Sequence, residues 1–325
     1  MNISEIKNVV VVGSGIMGIG IAQNFAQAGL SVHVVDQDKN ILDKSLTQID
    51  ANVKLFKEYD LLDEDPSAIT ARIKPVLNEN LDEVLKECDF IIEAIPEKLE
   101  LKKDLFNQLD SLSTDVIIAS NTSSFTITNL AEDMKTPERV IGLHYFNPAH
   151  IIPAVEIHRG NKTSDEVVEL TRDLMIKVGK KPALVRKVLP GFIINRLTGA
   201  LYREVNYLID QGITTPEDLD TAVKGSFGFR LSCLGPMEAE DMIGLDTSAT
   251  VSGRVFGGLS NATDASPTLK AKVEKGELGI KSGKGWYDYT GKSQIEIADQ
   301  INRKLLGQLA VFNSGNKQEK EEFHE

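Results

Sequence analysis

The 325-residue sequence predicts an α/β fold, a doubly wound parallel sheet followed by a mainly α-helical C-terminal domain. Three observations carry this prediction. The stretch from Val9 to Asp36 reads as strand, glycine-rich turn, amphipathic helix and second strand. From there to about Val188, apolar runs of strand length alternate with segments of helical periodicity. After Pro190 the strand-like runs cease and helical spacing takes over.

The first unit is the most informative. Val9 to Val12 form the short apolar run that a strand buried on both faces requires. Gly13-Ser14-Gly15-Ile16-Met17-Gly18 then follows the pattern G-x-G-x-x-G. Gly13 permits the tight turn, Gly15 lets a pyrophosphate approach the backbone, and Gly18 lets helix and sheet pack closely. Met17, Ile21 and Phe25 give the next helix its apolar face, and Gly29 is placed to stop it. Val32 to Val35 form the second strand, and Asp36 closes it 18 residues past Gly18. A carboxylate there suits an adenosine ribose and repels a 2′-phosphate, which predicts NAD rather than NADP. The combination defines a Rossmann-type, dinucleotide-binding domain.

Helical spacing then covers Lys39 to Tyr59, a short helix follows Pro66, and Cys88 to Glu93 reads as a strand. Glu97 to Leu109 has the pattern of an amphipathic helix, while Val116 to Ala119 and Arg139 to Leu143 are further strands. Gly13 to Gly18, Asp36, Ala94-Ile95-Pro96-Glu97, Ser120 to Ser124 and His144 all fall at carboxyl ends of predicted strands, where such sheets bind ligands. Thr163 and Glu166 read as a capping box for a helix that Gly179 stops, and Pro182 to Arg186 as the last strand. The expected organisation is a dinucleotide-binding domain over 1–188, a helical domain over 189–312, and a frayed polar tail over 313–325.

Composition narrows the function. The chain is 41% apolar and 26% charged, with a net charge of −12 that argues against nucleic acid. No apolar stretch is long enough to span a bilayer, and no signal pattern precedes the first strand, so a cytoplasmic protein without membrane partners is expected. Cys88 and Cys233 are too few for a disulfide framework or a cysteine-rich metal site.

Among the five histidines, His144 ends a strand in the expected crevice. Glu156 lies in the apolar run Pro153-Ala-Val-Glu-Ile157, where a carboxylate needs a partner. A His–Glu pair would supply one and suits oxidation of an alcohol: the histidine takes the hydroxyl proton and the carboxylate fixes its tautomer. A structural histidine is the competing reading for His144. A metal site built from His144, His150, His158 and Glu156 matches no recognised ligand spacing, so no metal is expected. From the residues alone, Ser123 and Asn195 are a turn hydroxyl and a helix-surface amide.

The blocks VVGSGIMGIGIA, VVDQD, EAIPEKLELKKDLF, ASNTSSFTIT, GLHYFNPAHIIPAVEI, PGFIINRL and LGIKSGKGWYDY span most of the chain. Together they resemble the 3-hydroxyacyl-CoA dehydrogenase family. The resemblance implies NAD-linked oxidation of an L-3-hydroxyacyl-CoA and a homodimer formed through the C-terminal domain. It further implies His144 as base, Glu156 as its partner, Ser123 on the reacting oxygen and Asn195 near the substrate carbonyl, with Asn147 bordering the site. Glu97 and Lys102 match positions that contact the nicotinamide half of the cofactor; Ala94, Ile95, Asn121 and Ser123 join the expected cofactor set.

The thioester is the first expectation, and three departures point to an alternative, a small free 3-hydroxy acid of the gulonate or carnitine type. Pro153 stands where thioester enzymes carry Met-Lys-Leu-Val-Glu text. Gly-Phe-Arg230-Leu-Ser-Cys-Leu-Gly-Pro236 lacks the family's Asn-His-Pro, and Arg230 is either a carboxylate clamp or a surface residue. The segment bearing Lys54 and Lys57 does not repeat the usual CoA-binding text. A non-catalytic NAD-binding protein is the remaining class, and the retained His144, Glu156, Ser123 and Asn195 argue against it.

Overall fold

The structure, a computed structural model, describes residues 2–112 and 115–322. Eight strands form one sheet: β1 (Asn8–Val12), β2 (Ser31–Asp36), β3 (Ile73–Leu77), β4 (Phe90–Glu93), β5 (Ile117–Ser120), β6 (Val140–Tyr145), β7 (Ala154–Arg159) and β8 (Lys181–Val185). Their order is β3-β2-β1-β4-β5-β6-β7-β8, and every pair is parallel except β6 with β7. The reversal of strand order beside β1 is where the glycine-rich turn lies, as the ligand crevice of a doubly wound sheet requires.

Helices cover both faces. They are α1 (Ile16–Gln27), α2 (Lys39–Glu58), α3 (Pro66–Thr70), α4 (Leu81–Leu85), α5 (Leu99–Leu112), α6 (Ile127–Leu130) and α7 (Asp165–Lys177). Alternate strand residues feed two apolar cores. Val9, Val11, Val32, Val34, Phe90 and Ile92 pack with Phe25 and Leu174, whereas Val10, Val12, Val35 and Ile91 pack with Phe106 and Leu109. The valine run is therefore buried on both sides, which is why it shows no alternation of polarity.

The helical part comprises α8 (Ile194–Asp210), α9 (Pro216–Gly225), α10 (Phe227–Leu231), α11 (Pro236–Ile243), α12 (Leu245–Val255), α13 (Pro267–Glu274) and α14 (Gln294–Glu322). Thr215 and Ser266 cap α9 and α13 ahead of their first-turn prolines. The compact units are Met1–Ile193 with Leu305–Ala310, and Ile194–Lys304 with Val311–Glu325. Leu306, on α14, is buried with Leu55, Phe56 and Ile151, so this short stretch belongs to the first unit rather than to the helical one.

Four local expectations need correction. β3 is unforeseen because it is an edge strand containing Pro75, and only an edge tolerates a residue without an N–H. β7 is antiparallel rather than part of an all-parallel sheet. Ser164, not Thr163, caps α7; the Thr163 hydroxyl instead donates to Val140 O at 2.6 Å. Over the described residues 313–322 the polar tail is helical: α14 continues to Glu322, since Gln, Lys and Glu are good helix formers and extending a helix costs little once it exists. Phe323 to Glu325 lie outside the described residues.

Candidate active site

The glycine-rich turn is shaped by contacts that admit no side chain. Gly13 has φ +103°, and a Cβ on it would meet Ala94 O at 2.7 Å. A Cβ on Gly18 would lie 1.8 Å from Gly13 O, so α1 rests directly on the turn. Gly15 differs, because nothing lies within 4 Å of where its Cβ would be. It is the N-cap of α1, has no side-chain cap, and no acidic residue occupies the first turn. Uncapped first-turn amides facing open space form a cradle for a pyrophosphate, and these residues fit NAD. Ile16 is 72% exposed at this edge, while Met17 is half-buried against the core.

Asp36 ties the end of β2 to the turn. Its Oδ2 accepts from Ser14 N at 2.9 Å and Ser14 Oγ at 2.7 Å, and its Oδ1 from Gln37 N at 2.7 Å. Burial works against ionisation, but the bonds from Ser14, Asp38 and Gln37 outweigh it and hold the carboxyl below its usual range. A charged carboxylate therefore closes β2, where the sequence reading expects the ribose.

A buried charge cluster supports the next two loops. Glu93, fully buried at the end of β4, accepts from Lys102 Nζ at 2.5 Å, Ile95 N at 2.7 Å and Ser120 Oγ at 2.6 Å. Lys102 also reaches Glu97 Oε2 at 3.2 Å and Ile95 O at 3.3 Å. Glu97 Oε1 accepts from Thr122 Oγ1 (2.6 Å), Ser124 Oγ (2.7 Å) and the amides of Ser123 and Ser124 (3.0 Å each). Burial pushes the Glu93 carboxyl up, against the pull of Lys102. For Glu97 the bonds from Thr122, Ser124 and Lys102 overcome burial and hold the carboxyl low. Lys102 is only 1% exposed, and its ammonium is engaged by Glu93, Glu97 and the Ile95 carbonyl, so it fixes the position of Glu97. Ala94 and Ile95 line the same turn half-buried.

The Ser120–Ser124 loop thus has a defined shape. Asn121 Oδ1 accepts from Tyr145 N at 2.8 Å, linking the loop to the end of β6. Ser123 is exposed, and among the described residues its hydroxyl bonds to nothing.

The antiparallel pairing of β6 and β7 puts His144 directly opposite Glu156. His144 Nδ1 lies 2.8 Å from Glu156 Oε2, with both side chains buried. An ionised carboxylate only accepts, so Nδ1 carries the proton and Nε2 is left with its lone pair. The imidazole sits edge-on to Phe146 (4.6 Å between ring centres) and to Phe192 (5.6 Å). Glu156 Oε1 accepts from Ile193 N at 2.9 Å.

His158, two residues along β7, stacks on Phe192 at 4.1 Å and is fully buried. Burial pushes it down to about 4, aided by His144 and opposed by Glu156, so it stays neutral beside the pair. His150 lies apart, against Phe56, and the four residues weighed as a metal site are thus divided among different contacts. Asn147 is exposed after β6, Asn195 lies at the start of α8 in the second unit, and Arg230 is exposed on α10. Glu93, Phe192 and the Ile193 amide are neighbours of the site to which the sequence reading gives no role. Of these only Glu93 has a signal, a charge closing an apolar strand.

A dinucleotide cradle flanked by the Asp36 carboxylate, and a histidine whose tautomer a carboxylate holds, define an NAD-dependent oxidoreductase acting on CH–OH groups. Comparison with known proteins agrees. Residues 8–188 match the sequence model of the 3-hydroxyacyl-CoA dehydrogenase NAD binding domain and residues 191–289 that of the 3-hydroxyacyl-CoA dehydrogenase C-terminal domain; the chain belongs to this family. It is 34% identical over 302 residues to 5-formyl-3-hydroxy-2-methylpyridine 4-carboxylate 5-dehydrogenase of Mesorhizobium japonicum, covering 93% of this chain and 96% of that one. It is 36% identical over 293 residues to 3-hydroxybutyryl-CoA dehydrogenase of Bradyrhizobium diazoefficiens, covering 89% and 98%. Among solved structures, the pyridine-carboxylate 5-dehydrogenase, described as an NAD+ dependent dismutase, superposes with TM-score 0.87 at 32% identity over 95% of this chain and 99% of that one. (S)-3-hydroxybutyryl-CoA dehydrogenase from Ralstonia eutropha gives 0.69 at 35% identity over 88% and 99%.

Proposed function

We propose that the protein transfers a hydride reversibly between NAD and a small, free, carboxylated substrate, with His144 as general base. His144 Nε2 takes the proton of the substrate hydroxyl as the hydride leaves the same carbon. Glu156 keeps Nδ1 protonated and stabilises the imidazolium that forms. The Ser123 hydroxyl bonds to the reacting oxygen, and Asn195 orients the neighbouring carbonyl or carboxylate. NAD, when bound, supplies the hydride acceptor; Gly13 to Gly18, Asp36, Asn121 and Glu97 seat it. The His144–Glu156 hydrogen bond is the observation that carries the reaction type.

The preference for a free acid over a thioester reverses the order of the sequence reading. It rests on the superpositions: at similar identity, 0.87 with the pyridine-carboxylate enzyme against 0.69 with the thioester enzyme. Pro153 and the absent Asn-His-Pro agree with it. In the surface helix, Lys54 pairs with Asp50, and Lys57 caps the carbonyls of Leu62 and Asp63, so both have local roles. A hydrated aldehyde presents the same H–C–OH unit as an alcohol, so one dyad serves either substrate. Oxidation of the hydrate yields a carboxylic acid, a hydride and a proton. The thioester reading persists as an alternative because relatives at 36% identity are 3-hydroxybutyryl-CoA dehydrogenases.

The test follows NADH absorbance in parallel with acetoacetyl-CoA, acetoacetate, gulonate, carnitine and 5-formyl-3-hydroxy-2-methylpyridine 4-carboxylate. Turnover of at least one CoA-free compound is expected. Turnover confined to acetoacetyl-CoA would restore the thioester reading. We further place the protein in the cytoplasm, which suits the exposed, unbridged thiol of Cys233. We assign it a homodimer through the helical unit, where Leu197, Phe229 and Met237 stand exposed.

A further inference from the structure

We propose that Gly191–Phe192–Ile193 is a positioning element of the dyad, holding Glu156 and His144 in register through one aromatic ring and one backbone amide. The proposal rests on the assignment of His144 as base and extends it to residues outside β6 and β7.

Three observations converge on this segment. The oxygens of Glu156 are divided: Oε2 faces His144 Nδ1 at 2.8 Å, and Oε1 accepts from Ile193 N at 2.9 Å. A carboxylate bonded through only one oxygen is free to rotate about its terminal bond; bonded through both, its orientation is set. The Phe192 ring is 4% exposed and touches two imidazoles, edge-on to His144 and stacked on His158. It closes one side of the His144 ring while Phe146 closes another, so the imidazole cannot swing away from Glu156 without displacing an aromatic. The backbone is unusual as well. Gly191 has φ +82° and Phe192 φ +49°, and Phe192 is one of two non-glycine residues with positive φ among those described. The left-handed region is costly for a side chain as large as phenylalanine, and residues held there cluster at functional sites. Here the two successive left-handed residues accompany the Ile193 amide bonded to Glu156 and the Phe192 ring packed on the histidines.

These contacts assign the segment a role beyond linking. Phe192 and Ile193 close the first compact unit, immediately before α8. Neither touches the reacting atoms, so they act through Glu156 and His144. His158, kept neutral by burial, offers Phe192 an uncharged ring to stack on and does not compete for Glu156.

The test compares Phe192→Leu, which keeps apolar volume and removes the ring, with Gly191→Ala, which strains the turn without changing any side chain at the dyad. In histidine-15N-labelled protein, the Nδ1 proton of His144 reports the Glu156 hydrogen bond directly, with or without substrate. Exchange of this proton should quicken about tenfold or more in both variants, the size of one charge-assisted hydrogen bond weakened. kcat should fall with it while KM and the NAD dissociation constant stay within about threefold, because a lost positioning contact acts mainly on the chemical step. Thermal melts identify a variant that does not fold, in which case the other decides. Unchanged exchange and unchanged kcat in the folded variants would overturn the proposal. His144→Gln distinguishes this from failure of the parent assignment: if it keeps near-normal turnover, the base is wrong, whatever Phe192 does.

Discussion

His158 carries more information than its lack of a catalytic role suggests. It lies across the β6–β7 pair from Gly142, whose absent Cβ would stand 2.1 Å from the imidazole, so the strand pair can close only with glycine there. Among the described residues neither ring nitrogen has a hydrogen-bond partner, and burial pushes the ring down to about 4. His150 is likewise pushed down to about 4 by burial, aided by Lys180. Because a folded value near 4 lies below the unfolded 6.5, each histidine contributes stability that is complete above pH 6.5. That contribution is lost as the pH falls toward about 4. For His158 the slope approaches about 1 kcal/mol per pH unit within this window. Glu93, raised by burial, titrates in the opposite sense, so the readout must be a difference. Urea midpoints measured from pH 7 to pH 5 should fall less steeply in His158→Met than in the natural protein. Parallel curves would show that His158 is not a buried neutral base.

At the scale of elements, the glycine turn and the β6–β7 pair divide cofactor from chemistry. Gly15→Ala and Gly18→Ala should separate two roles of one motif. The Gly15 methyl enters open space where the pyrophosphate belongs, so NAD affinity should fall more than tenfold with little change in melting temperature. The Gly18 methyl meets the backbone oxygen of Gly13, so that variant should lose about 1–3 kcal/mol of stability as well. Calorimetric titration with NAD beside thermal melts checks both; equal melting losses would contradict the distinction. These elements also show what was legible in the sequence. The turn and β1 were, because glycine geometry and a doubly buried valine run leave a compositional trace. His144 and Glu156 were, because few residues type for type can do proton transfer, and a carboxylate between Val155 and Ile157 needs a partner. Their direct opposition was not, since it depends on β7 running antiparallel. The edge strand β3 was masked by Pro75. The Ile193 amide left no trace, because every residue but proline carries one, and nothing in the sequence pairs Lys102 with the buried Glu93.

The whole molecule poses a different problem in its helical unit. None of α8 to α13 contains a buried residue, and Phe229, Met237, Phe256 and Leu197 are 74, 69, 67 and 57% exposed. α8 nonetheless has the amphipathic pattern of a helix that packs on one face, through Leu197, Leu201, Val205 and Leu208. Helices that bury so little cannot offset the conformational entropy of ordering them. The homodimer proposed above would cover these faces, as symmetric dimers commonly do. Light scattering should give twice the 35.7 kDa chain mass down to low concentration, and Phe229→Glu should weaken it. A stable monomer would contradict this assignment.

In the proposed reaction, cradle, loops and dyad act together to move a hydride from a carbon whose hydroxyl His144 deprotonates. Its most direct test is the turnover of His144→Gln and Glu156→Gln, with NAD affinity measured on the same samples and whichever compound of the panel the natural protein oxidises. A positioned general base contributes about 10²–10⁴-fold, so kcat should fall by about that much in His144→Gln and somewhat less in Glu156→Gln. NAD should bind both variants as it binds the natural protein. Turnover in His144→Gln within a few-fold of the natural protein would contradict the account.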